Sequence, residues 1–395
     1  MEKADSFVFA AQCITLFGSQ IVQMAIVWYV TLETGSGAWV AACSLCAYIP
    51  QFFVSFLGGV WADRYERKRL IIGADLLITL VTLVMMGIIP RLTAQPMLLG
   101  CLLGMSVVRA CGAGIQNPAV SVSEAQFVPK EQLMRYNGIH AAMQSVIQFA
   151  APAAAAVILT RHTLREALAI DVITALIGIG VTACIRFPKQ GKAQEQAPVL
   201  SAMLAGLGHA YACVPVRKLL LIYGAFIFLT VPAGYLSGLL VSRLYGDTYW
   251  YLTMVELVGF GGMMAGGLLM SLWGGFRSRR RTLSSGLMLF GIMAACMGVS
   301  RRFVLYLVFM ALYGVALTGV QTTITTMLQS RTEQAVQGRV FALMNALYAA
   351  CYPLGMALFG PMADWMPLQG IMIASGMALM ALGGMSGRDR DLKGI

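Results

Sequence analysis

Charged residues are scarce in this sequence. Asp, Glu, Lys and Arg make up 11% of the 395 residues and hydrophobic residues make up 58%, whereas in a water-soluble domain roughly a quarter of the residues are charged. These charges are too few to cover a soluble surface, and a mean hydropathy of +0.75 points to lipid as the main solvent. The composition excludes disordered, collagen-like and disulfide-stapled secreted proteins.

Residues that hold metals or perform catalysis are also few. The three His have no metal-ligand spacing, and the one C-x-x-C, from Cys43 to Cys46, lies in an apolar stretch where a thiol acts as a small hydrophobe. The sequence contains no P-loop, no H-E-x-x-H and no G-x-S-x-G with partner residues. It therefore predicts no enzyme, no cofactor and no metal site.

Long apolar stretches are what the sequence does contain. Twelve of about 20 residues are each long enough to cross a bilayer. They are 7–32, 38–61, 70–90, 96–118, 137–160, 167–187, 219–242, 249–273, 283–300, 303–329, 340–362 and 367–385. The first exceeds the roughly 7 to 15 apolar residues of a signal peptide, which predicts a retained span. The longest polar break predicts a cytoplasmic linker, 188–216, between two six-helix bundles, 1–187 and 217–395.

The basic residues are distributed unevenly over the loops. With a cytoplasmic N-terminus, most of the 28 Lys and Arg residues fall on the inner side, and Arg109 lies inside a span. Six fall on the outer side, namely Arg91, Arg161, Arg165, Arg243, Arg301 and Arg302. This bias predicts that both termini are cytoplasmic. Because these loops carry no nucleic-acid-binding module, we expect membrane lipid and not nucleic acid to face the basic residues.

The two sets of six spans share an internal repeat. Three features recur at equivalent places: Gly114-Ile115-Gln116 as Gly319-Val320-Gln321, Met143 with Pro152 as Met344 with Pro353, and the basic turn Arg67-Lys68-Arg69 as Arg279-Arg280-Arg281. Their common register indicates a duplicated six-helix unit. Many transporters build a binding site at the bilayer midplane from such repeats.

The loop after the second stretch carries a recognisable motif. It reads Gly59-Val60-Trp61-Ala62-Asp63-Arg64-Tyr65-Glu66-Arg67-Lys68. This resembles the G-x-x-x-D-R-x-G-R-K signature of the major facilitator superfamily, with Glu66 in place of a Gly. The resemblance implies an all-α integral membrane protein with twelve transmembrane helices in two pseudo-symmetric six-helix bundles.

The same motif predicts an inner gate. A Gly permits close helix approach, and the charged residues can bridge neighbouring helix ends at the cytoplasmic surface. The gate residues are expected to be Gly59, Asp63, Arg64, Arg67, Lys68 and, from the next helix, Asp75. The alternative is that the basic cluster serves only as a topology signal.

Further motifs resemble the drug:proton antiporter branch that includes macrolide-efflux proteins. They are Arg109-Ala110-Cys111-Gly112-Ala113-Gly114, Asn117-Pro118-Ala119, Val128-Pro129-Lys130-Glu131-Gln132-Leu133, Ala169-Ile170-Asp171-Val172, Gly274-Gly275-Phe276 and Gly338-Arg339-Val340-Phe341. The chain departs at Ala151-Pro152-Ala153, where many antiporters have a Gly-Pro motif. The resemblance implies proton-coupled export of amphipathic compounds across a bacterial cytoplasmic membrane.

Ionisable residues inside the spans are candidates for proton coupling, because a charge at a helix centre costs about 2.5 to 3.5 kcal/mol. Glu256 is the first candidate, since a carboxylate away from water takes up a proton more readily. Arg109 is the second, at the place where the family signature has an Arg associated with proton transfer. A structural ion pair is the alternative for each. We expect Asp171 to form an outer-surface pair with Arg165 or His162.

The resemblance also predicts where substrate binds. In this superfamily the first, fourth, seventh and tenth spans surround the cavity, and here these spans carry polar and aromatic stripes. The expected binding residues are Gln20, Gln23, Gln116, Tyr223, Phe226, Tyr235, Tyr313 and Gln321. For each aromatic residue the alternative is ordinary packing. Pro232-Ala233-Gly234 predicts a break in the seventh span.

The predicted function is proton-coupled efflux of amphipathic small molecules, drug or macrolide-like, by a monomer that works through alternating access. A solute importer or a lysolipid or siderophore carrier on the same scaffold is the main alternative. A membrane scaffold without transport is a third.

Overall fold

All regular secondary structure among the described residues is helical. A computed structural model describes residues 3–92, 94–127, 133–184, 213–332, 334–389 and 391–392. Most of the predicted linker, 188–216, lies outside the described residues.

Among the described residues, seven helices precede residue 213. They are α1 (Lys3–Thr34), α2 (Gly37–Arg64), α3 (Arg67–Ile88), the short 3-10 helix Ile89–Arg91, α4 (Gln95–Phe127), α5 (Leu133–Arg161) and α6 (Leu164–Cys184).

In the part of the chain described after residue 213 there are seven more. They are α7 (Val214–Gly234), α8 (Ser237–Leu244), α9 (Tyr249–Trp273), α10 (Arg279–Val299), α11 (Phe303–Arg331), α12 (Gln334–Trp365) and α13 (Leu368–Arg388).

Twelve candidate membrane spans are found among the described residues, by length and composition. The predicted fold class is therefore confirmed. The seventh span, Val214–Leu244, contains the predicted break, because α7 ends at Gly234 and α8 begins at Ser237. At the break the backbone N–H groups of Tyr235 and Leu236 both donate to the carbonyl of Val231. This satisfies groups that lipid could not.

The chain divides into two compact units. The first comprises residues 1–33 and 42–196, and the second comprises 34–41 and 197–395. In the first unit α3 packs on both α4 and α6. In the second unit α10 packs along α13, α9 packs along α11, and α7 packs on α12. The segment 34–41 groups with the second unit although its chain neighbours belong to the first.

Close helix contact in the first unit occurs at Gly58. A Cβ on Gly58 would lie 2.4 Å from the carbonyl oxygen of Gly114, so α2 and α4 touch there through backbone atoms. The expectation that Gly59 makes this contact is wrong, since a Cβ on Gly59 meets nothing within 4 Å. Successive residues of a helix point about 100° apart, and Gly58, not Gly59, faces α4.

Asp364, near the end of α12, anchors the segment 34–41 within the second unit. Its carboxylate accepts hydrogen bonds from the backbone N–H groups of Gly37 at 2.7 Å and Ala38 at 3.0 Å, and from Ser36 Oγ at 2.7 Å. Arg243 donates to the same carboxylate at 2.9 Å and to the carbonyl of Gly35 at 2.6 Å. A carboxylate from a distant part of the chain thus caps the first turn of α2.

The tightest contact in the second unit joins α10 and α13. A Cβ on Gly376 would lie 2.5 Å from the carbonyl oxygen of Gly291, and a Cβ on Gly291 would lie 2.4 Å from that of Gly376. Small residues that let helix backbones approach are a main source of helix association in lipid, where the hydrophobic effect between helices is lost.

Gly376→Ala is expected to destabilise the second unit, because its methyl group would push α13 away from α10. Overpacking of this kind costs about 1 to 3 kcal/mol. The measurement is the melting temperature of the purified protein in detergent. Gly370→Ala is the matched control on the same helix, since its Cβ meets nothing within 4 Å. Equal loss of stability in both variants would contradict the packing described.

Candidate functional site

A cavity of about 310 Å³ lies in the first unit, between α1, α2, α3 and α4. Most of its polar lining consists of carboxamides, contributed by Gln12, Gln20, Gln23, Gln51, Gln116 and Asn117. Hydroxyl groups come from Thr15, Ser19, Tyr48 and Ser106, and the charged side chain in the lining is that of Arg109. The structure thus brings Gln20, Gln23, Gln116 and Arg109, all singled out from the sequence, to one wall.

Arg109 pairs with Asp171 behind this wall. The guanidinium and the carboxylate form a direct ion pair between α4 and α6, with the two residues only 8% and 1% exposed. The prediction of an outer-surface pair for Asp171 is wrong. Asp171 lies about two turns into α6, so it is separated along the helix from Arg165 and His162 and faces the interior.

Two hydroxyl groups complete the surroundings of the pair. Thr82 Oγ on α3 accepts a hydrogen bond from Arg109 at 2.8 Å. Ser19 Oγ on α1 donates to Asp171 at 3.3 Å and lies 3.4 Å from the guanidinium. A buried ion pair is stable only when its remaining hydrogen-bonding capacity is satisfied, and these hydroxyls supply part of it.

Asp75 lies behind another part of the same wall. It is 2% exposed, and its carboxylate accepts a hydrogen bond of 2.7 Å from Nε2 of Gln116. The sequence suggested that Asp75 joins the basic turn of the inner gate. Instead, its position two turns into α3 places it beside the cavity, where it orients one of the lining amides.

The remaining residues of the predicted gate lie around the turn between α2 and α3. Lys68 Nζ donates to the carbonyl of Ala183 at the end of α6 at 2.6 Å, a favourable place for a cation. Arg67 Nε donates to the carbonyl of Ala62 at 3.1 Å, and Arg69 pairs with Glu66 at 2.7 Å.

Two further gate residues complete this picture. Arg64 is exposed at the last residue of α2. The side chain of Asp63 lies outside the described residues.

A separate cluster of charges lies at the end of α13 in the second unit. Lys218 Nζ on α7 donates to both Asp389 and Asp391 at 2.6 Å. The hydrogen bond from Lys218 holds the pKa of the Asp389 carboxyl below its ordinary value. This pairing ties the residues that follow α13 to the beginning of α7.

Several aromatic residues predicted to bind substrate belong to the core of the second unit. Phe226 is fully buried and packs edge-on against Phe290 at 5.0 Å, and Phe290 packs on Tyr313 at 4.2 Å. Tyr223 is also buried. Phe226 and Tyr313 present no surface to a ligand in this structure, so packing accounts for them.

Tyr235 and Gln321 remain accessible. Tyr235 is 39% exposed, its hydroxyl lies 2.8 Å from that of Tyr348, and its ring packs on Tyr352 at 4.2 Å. Gln321 is half-buried on α11. Of the residues predicted to bind substrate in the second unit, Tyr235 and Gln321 are therefore accessible, whereas Phe226 and Tyr313 are buried in the core.

Glu256 lies on the buried face of α9. Leu252, Val255 and Gly259 of the same face are buried, and this helix packs along α11. Among the described residues Glu256 takes part in no ion pair or hydrogen bond. Glu256 therefore differs from Asp171, whose carboxylate is paired with the guanidinium of Arg109.

Sequence reasoning missed the contribution of α2 to the cavity. Gln51 and Tyr48 line it although the superfamily pattern directs attention to other spans. A signal was present, since Gln51 is an isolated carboxamide within an otherwise apolar stretch, directly after Pro50. Asn117 also lines the cavity, although the polar stripe of α4 predicted only its neighbour Gln116.

Comparison with known proteins agrees with this architecture. The family description Major Facilitator Superfamily matches residues 8–356. Macrolide efflux protein A of Streptococcus pyogenes is 29% identical over 378 residues, which cover 93% of this chain and 92% of that protein. Multidrug efflux pump Tap of Mycobacterium tuberculosis (strain ATCC 25618 / H37Rv) is 22% identical over 383 residues, covering 93% and 88%.

Solved structures show the same fold at low identity. A bacterial homologue of the iron transporter ferroportin, in an inward-facing state, has a TM-score of 0.75 and 14% identity, covering 98% of this chain and 100% of that one. A D-xylose-proton symporter has a TM-score of 0.71 and 13% identity, covering 95% and 96%. With its twelve apolar helices, this chain belongs to the Major Facilitator Superfamily and is a multi-pass bacterial membrane transporter, not an enzyme.

Proposed function

We propose that this transporter exports amphipathic small molecules, including macrolide-like drugs, in exchange for protons by alternating access. It works as a monomer in the bacterial inner membrane, with both termini cytoplasmic. The observation that carries the proposal is that Arg109 belongs both to the cavity lining and to a buried ion pair. It lines the cavity and it neutralises a buried carboxylate, Asp171.

The chemistry of the cavity suits an uncharged or weakly charged amphipathic ligand. Its volume lies at the lower end of the roughly 300 to 1,000 Å³ typical of small-molecule sites. Carboxamides offer both donors and acceptors, which match the hydroxyl, ester and ketone groups of a macrolide. Apolar contacts come from Leu16, Ile78 and the alanines of α2 and α4. The names of the efflux relatives support the same substrate class.

Arg109, which belongs to both the cavity lining and the ion pair, can couple proton binding to ligand binding. Arg109 stays charged throughout, so a proton can be exchanged only at Asp171. Protonation would remove the negative charge that holds the guanidinium and would free it to move at the cavity wall. Proton binding and ligand binding are then linked, and such coupling acts equally in both directions. Glu256 provides a second proton-binding carboxylate, located in the second unit.

The gate on the inner side completes the proposed cycle. Asp63, Arg64, Arg67 and Lys68 are proposed to open and close the cytoplasmic entrance as the bundles rock. Gly59 is left out, because a Cβ on it meets nothing within 4 Å. The bond from Lys68 to the end of α6 supports a role in holding one arrangement. Asp75 is left out of the gate, because Gln116 binds it at the cavity.

Cells that express this protein are expected to accumulate less of a macrolide than cells with an empty vector. An uncoupler should abolish the difference, because it removes the proton gradient that drives export. The measurement is the cell content of radiolabelled drug with and without uncoupler. An importer would give the opposite result, with uncoupling lowering the drug content. No effect of the protein on macrolides, other drugs or lysolipids would contradict transport of amphipathic compounds.

Asp171→Asn is expected to remove much of the pH dependence of drug binding. In the wild type, affinity should rise with pH, because protons and drug compete through Arg109. In the variant the competing proton site is gone and the slope should flatten. The measurement is the dissociation constant of a labelled macrolide at a series of pH values in detergent.

Two further variants separate coupling from stability. Removing one partner of a buried pair costs about 3 to 5 kcal/mol, so Asp171→Asn should lower the melting temperature. Arg109→Gln with Asp171→Asn should recover stability but not pH dependence. Asp247→Asn, an exposed carboxylate between α8 and α9, is the control for loss of a negative charge. A wild-type slope in Asp171→Asn would remove this pair from the mechanism.

A further inference from the structure

The amide of Gln116 on α4 is held in one direction. Its Nε2 donates a hydrogen bond of 2.7 Å to Oδ1 of Asp75 on α3. A carboxamide carries donors on its nitrogen and an acceptor on its oxygen. Because the nitrogen is bound to the carboxylate, the oxygen is the end of the amide that remains for another partner.

The carbonyl oxygen of Gln116 is accessible at the cavity wall. Gln116 lines the cavity and is half-buried, whereas Asp75 is only 2% exposed. Oε1 of Gln116 accepts no hydrogen bond from the described residues, and it does not belong to the buried side-chain atoms that lack a partner. An unpartnered oxygen that is not buried faces open space. The wall therefore presents an acceptor here, with a carboxylate behind it.

Two levels of hydrogen bonds join α3 and α4. Thr82 lies about two turns after Asp75 on the buried face of α3, and Arg109 lies about two turns before Gln116 on α4. Arg109 donates to Thr82 Oγ at 2.8 Å, so the antiparallel helices are bonded at two levels about 10 Å apart. The bond between Gln116 and Asp75 is thus part of the framework that also positions Arg109.

Close packing between the two levels keeps the helices together. A Cβ on Gly112 of α4 would lie 2.7 Å from Cγ1 of Ile78 on α3, and Ile78 itself lines the cavity. The small residue lets the two helices approach at this point. Asp75 therefore stays within reach of the Gln116 amide.

The two levels differ in charge. Arg109 is balanced by the carboxylate of Asp171, whereas Asp75 takes part in none of the ion pairs among the described residues. A neutral amide is what separates Asp75 from the cavity. Hydrogen bonds in a chain polarise one another, so a carboxylate bound to the nitrogen strengthens the acceptor at the other end of the amide. The strongest partner for such an oxygen is a charged donor.

We propose that Asp75 is a positioning residue that fixes the Gln116 amide with its oxygen toward the cavity, so that the site selects amphipathic ligands with a protonated amine N–H. Gln116 Oε1 binds the donor, and Asp75 acts through the amide without touching the ligand. The lining amide of Gln51 is held by no carboxylate among the described residues and can present either end. The inference rests on the proposed export of amphipathic compounds and adds the ligand group that is recognised.

The test compares two labelled ligands that bind the full chain in detergent at neutral pH. One is a macrolide with a protonated tertiary amine, and the other is its N-methyl quaternary derivative, which has the same charge but no N–H donor. The wild type should prefer the tertiary amine. Gln116→Leu should lower this preference about tenfold, as expected for the loss of a hydrogen bond to a charged group. The measurement is the ratio of the two dissociation constants in each variant.

Variants of Asp75 test the positioning role. In Asp75→Asn the new amide can donate or accept, so Gln116 is no longer held in one direction and the preference should fall. Asp75→Glu keeps a carboxylate and should retain more of the preference than Asp75→Asn. A role of Asp75 in packing alone would weaken the binding of both ligands equally and leave the ratio unchanged.

Gln51→Leu is the matched control on α2, because it removes a lining amide that no described carboxylate orients. It should leave the ratio at the wild-type value. A loss of the preference in this variant would overturn the assignment of the acceptor to Gln116.

The outcomes separate the inference from the proposed function. Binding of neither ligand by the wild type would contradict the proposed function and the inference with it. Binding of both ligands with a ratio that Gln116→Leu leaves unchanged would overturn the inference and leave the substrate class intact. A reduced ratio in Gln116→Leu with a wild-type ratio in Asp75→Asn would overturn the role of Asp75 alone. If Asp75→Asn folds poorly, a wild-type ratio in Gln116→Leu still overturns the inference.

Discussion

Arg109 is a permanent positive charge buried among apolar helices, and the first unit is arranged around its neutralisation. The side chain cannot lose its proton, and an unpaired charge at this depth costs several kcal/mol. Asp171 on α6 supplies the opposite charge, while Thr82 on α3 and Ser19 on α1 supply hydrogen-bonding oxygens. One cation therefore fixes the relative positions of four helices and, with them, a wall of the cavity.

Among its described residues, the second unit has no buried ion pair like that of Arg109 and Asp171. Its helices meet through backbone contacts at Gly291 and Gly376 and through the buried rings of Phe226 and Phe290. Glu256 lies on α9 beside the buried residues Leu252, Val255 and Gly259, and it takes part in no ion pair or hydrogen bond among the described residues. The two units thus differ in chemistry, because the first contains the buried pair of Arg109 and Asp171, whereas Glu256 of the second has no ion-pair partner among the described residues.

Sequence alone predicted features that depend on composition along one helix. The twelve spans follow from hydropathy, the break after Gly234 follows from Pro232, and the lining amides Gln20, Gln23 and Gln116 follow from polar stripes on apolar helices. Features that depend on the partner of a residue were not predictable. Asp171 meets an arginine 62 positions away in the chain, and nothing local distinguishes this contact from a pair with nearby Arg165.

Predictions of which side of a helix a residue lies on were wrong for the same reason, namely that they depend on other helices. Gly58 and Gly59 are neighbours in sequence, but only Gly58 faces α4, and one residue of rotation decides which of them permits close contact. Likewise, Phe226 and Tyr235 belong to the same aromatic segment, yet one is in the core and the other is 39% exposed. Periodicity shows that a helix has a polar or aromatic face, and the packing of the other helices decides where it points.

The cavity lining bears on the proposed export of varied amphipathic compounds through one site. A site built on a fixed charge discriminates strongly, because a ligand without the opposite charge leaves that charge unpaired. Here the charge on Arg109 is already balanced by Asp171, so a neutral ligand leaves it paired. The amides other than that of Gln116 can rotate to present either a donor or an acceptor. In the proposed cycle, breadth of recognition and proton coupling depend on the same ion pair, since Asp171, which balances Arg109, is also the proposed proton site.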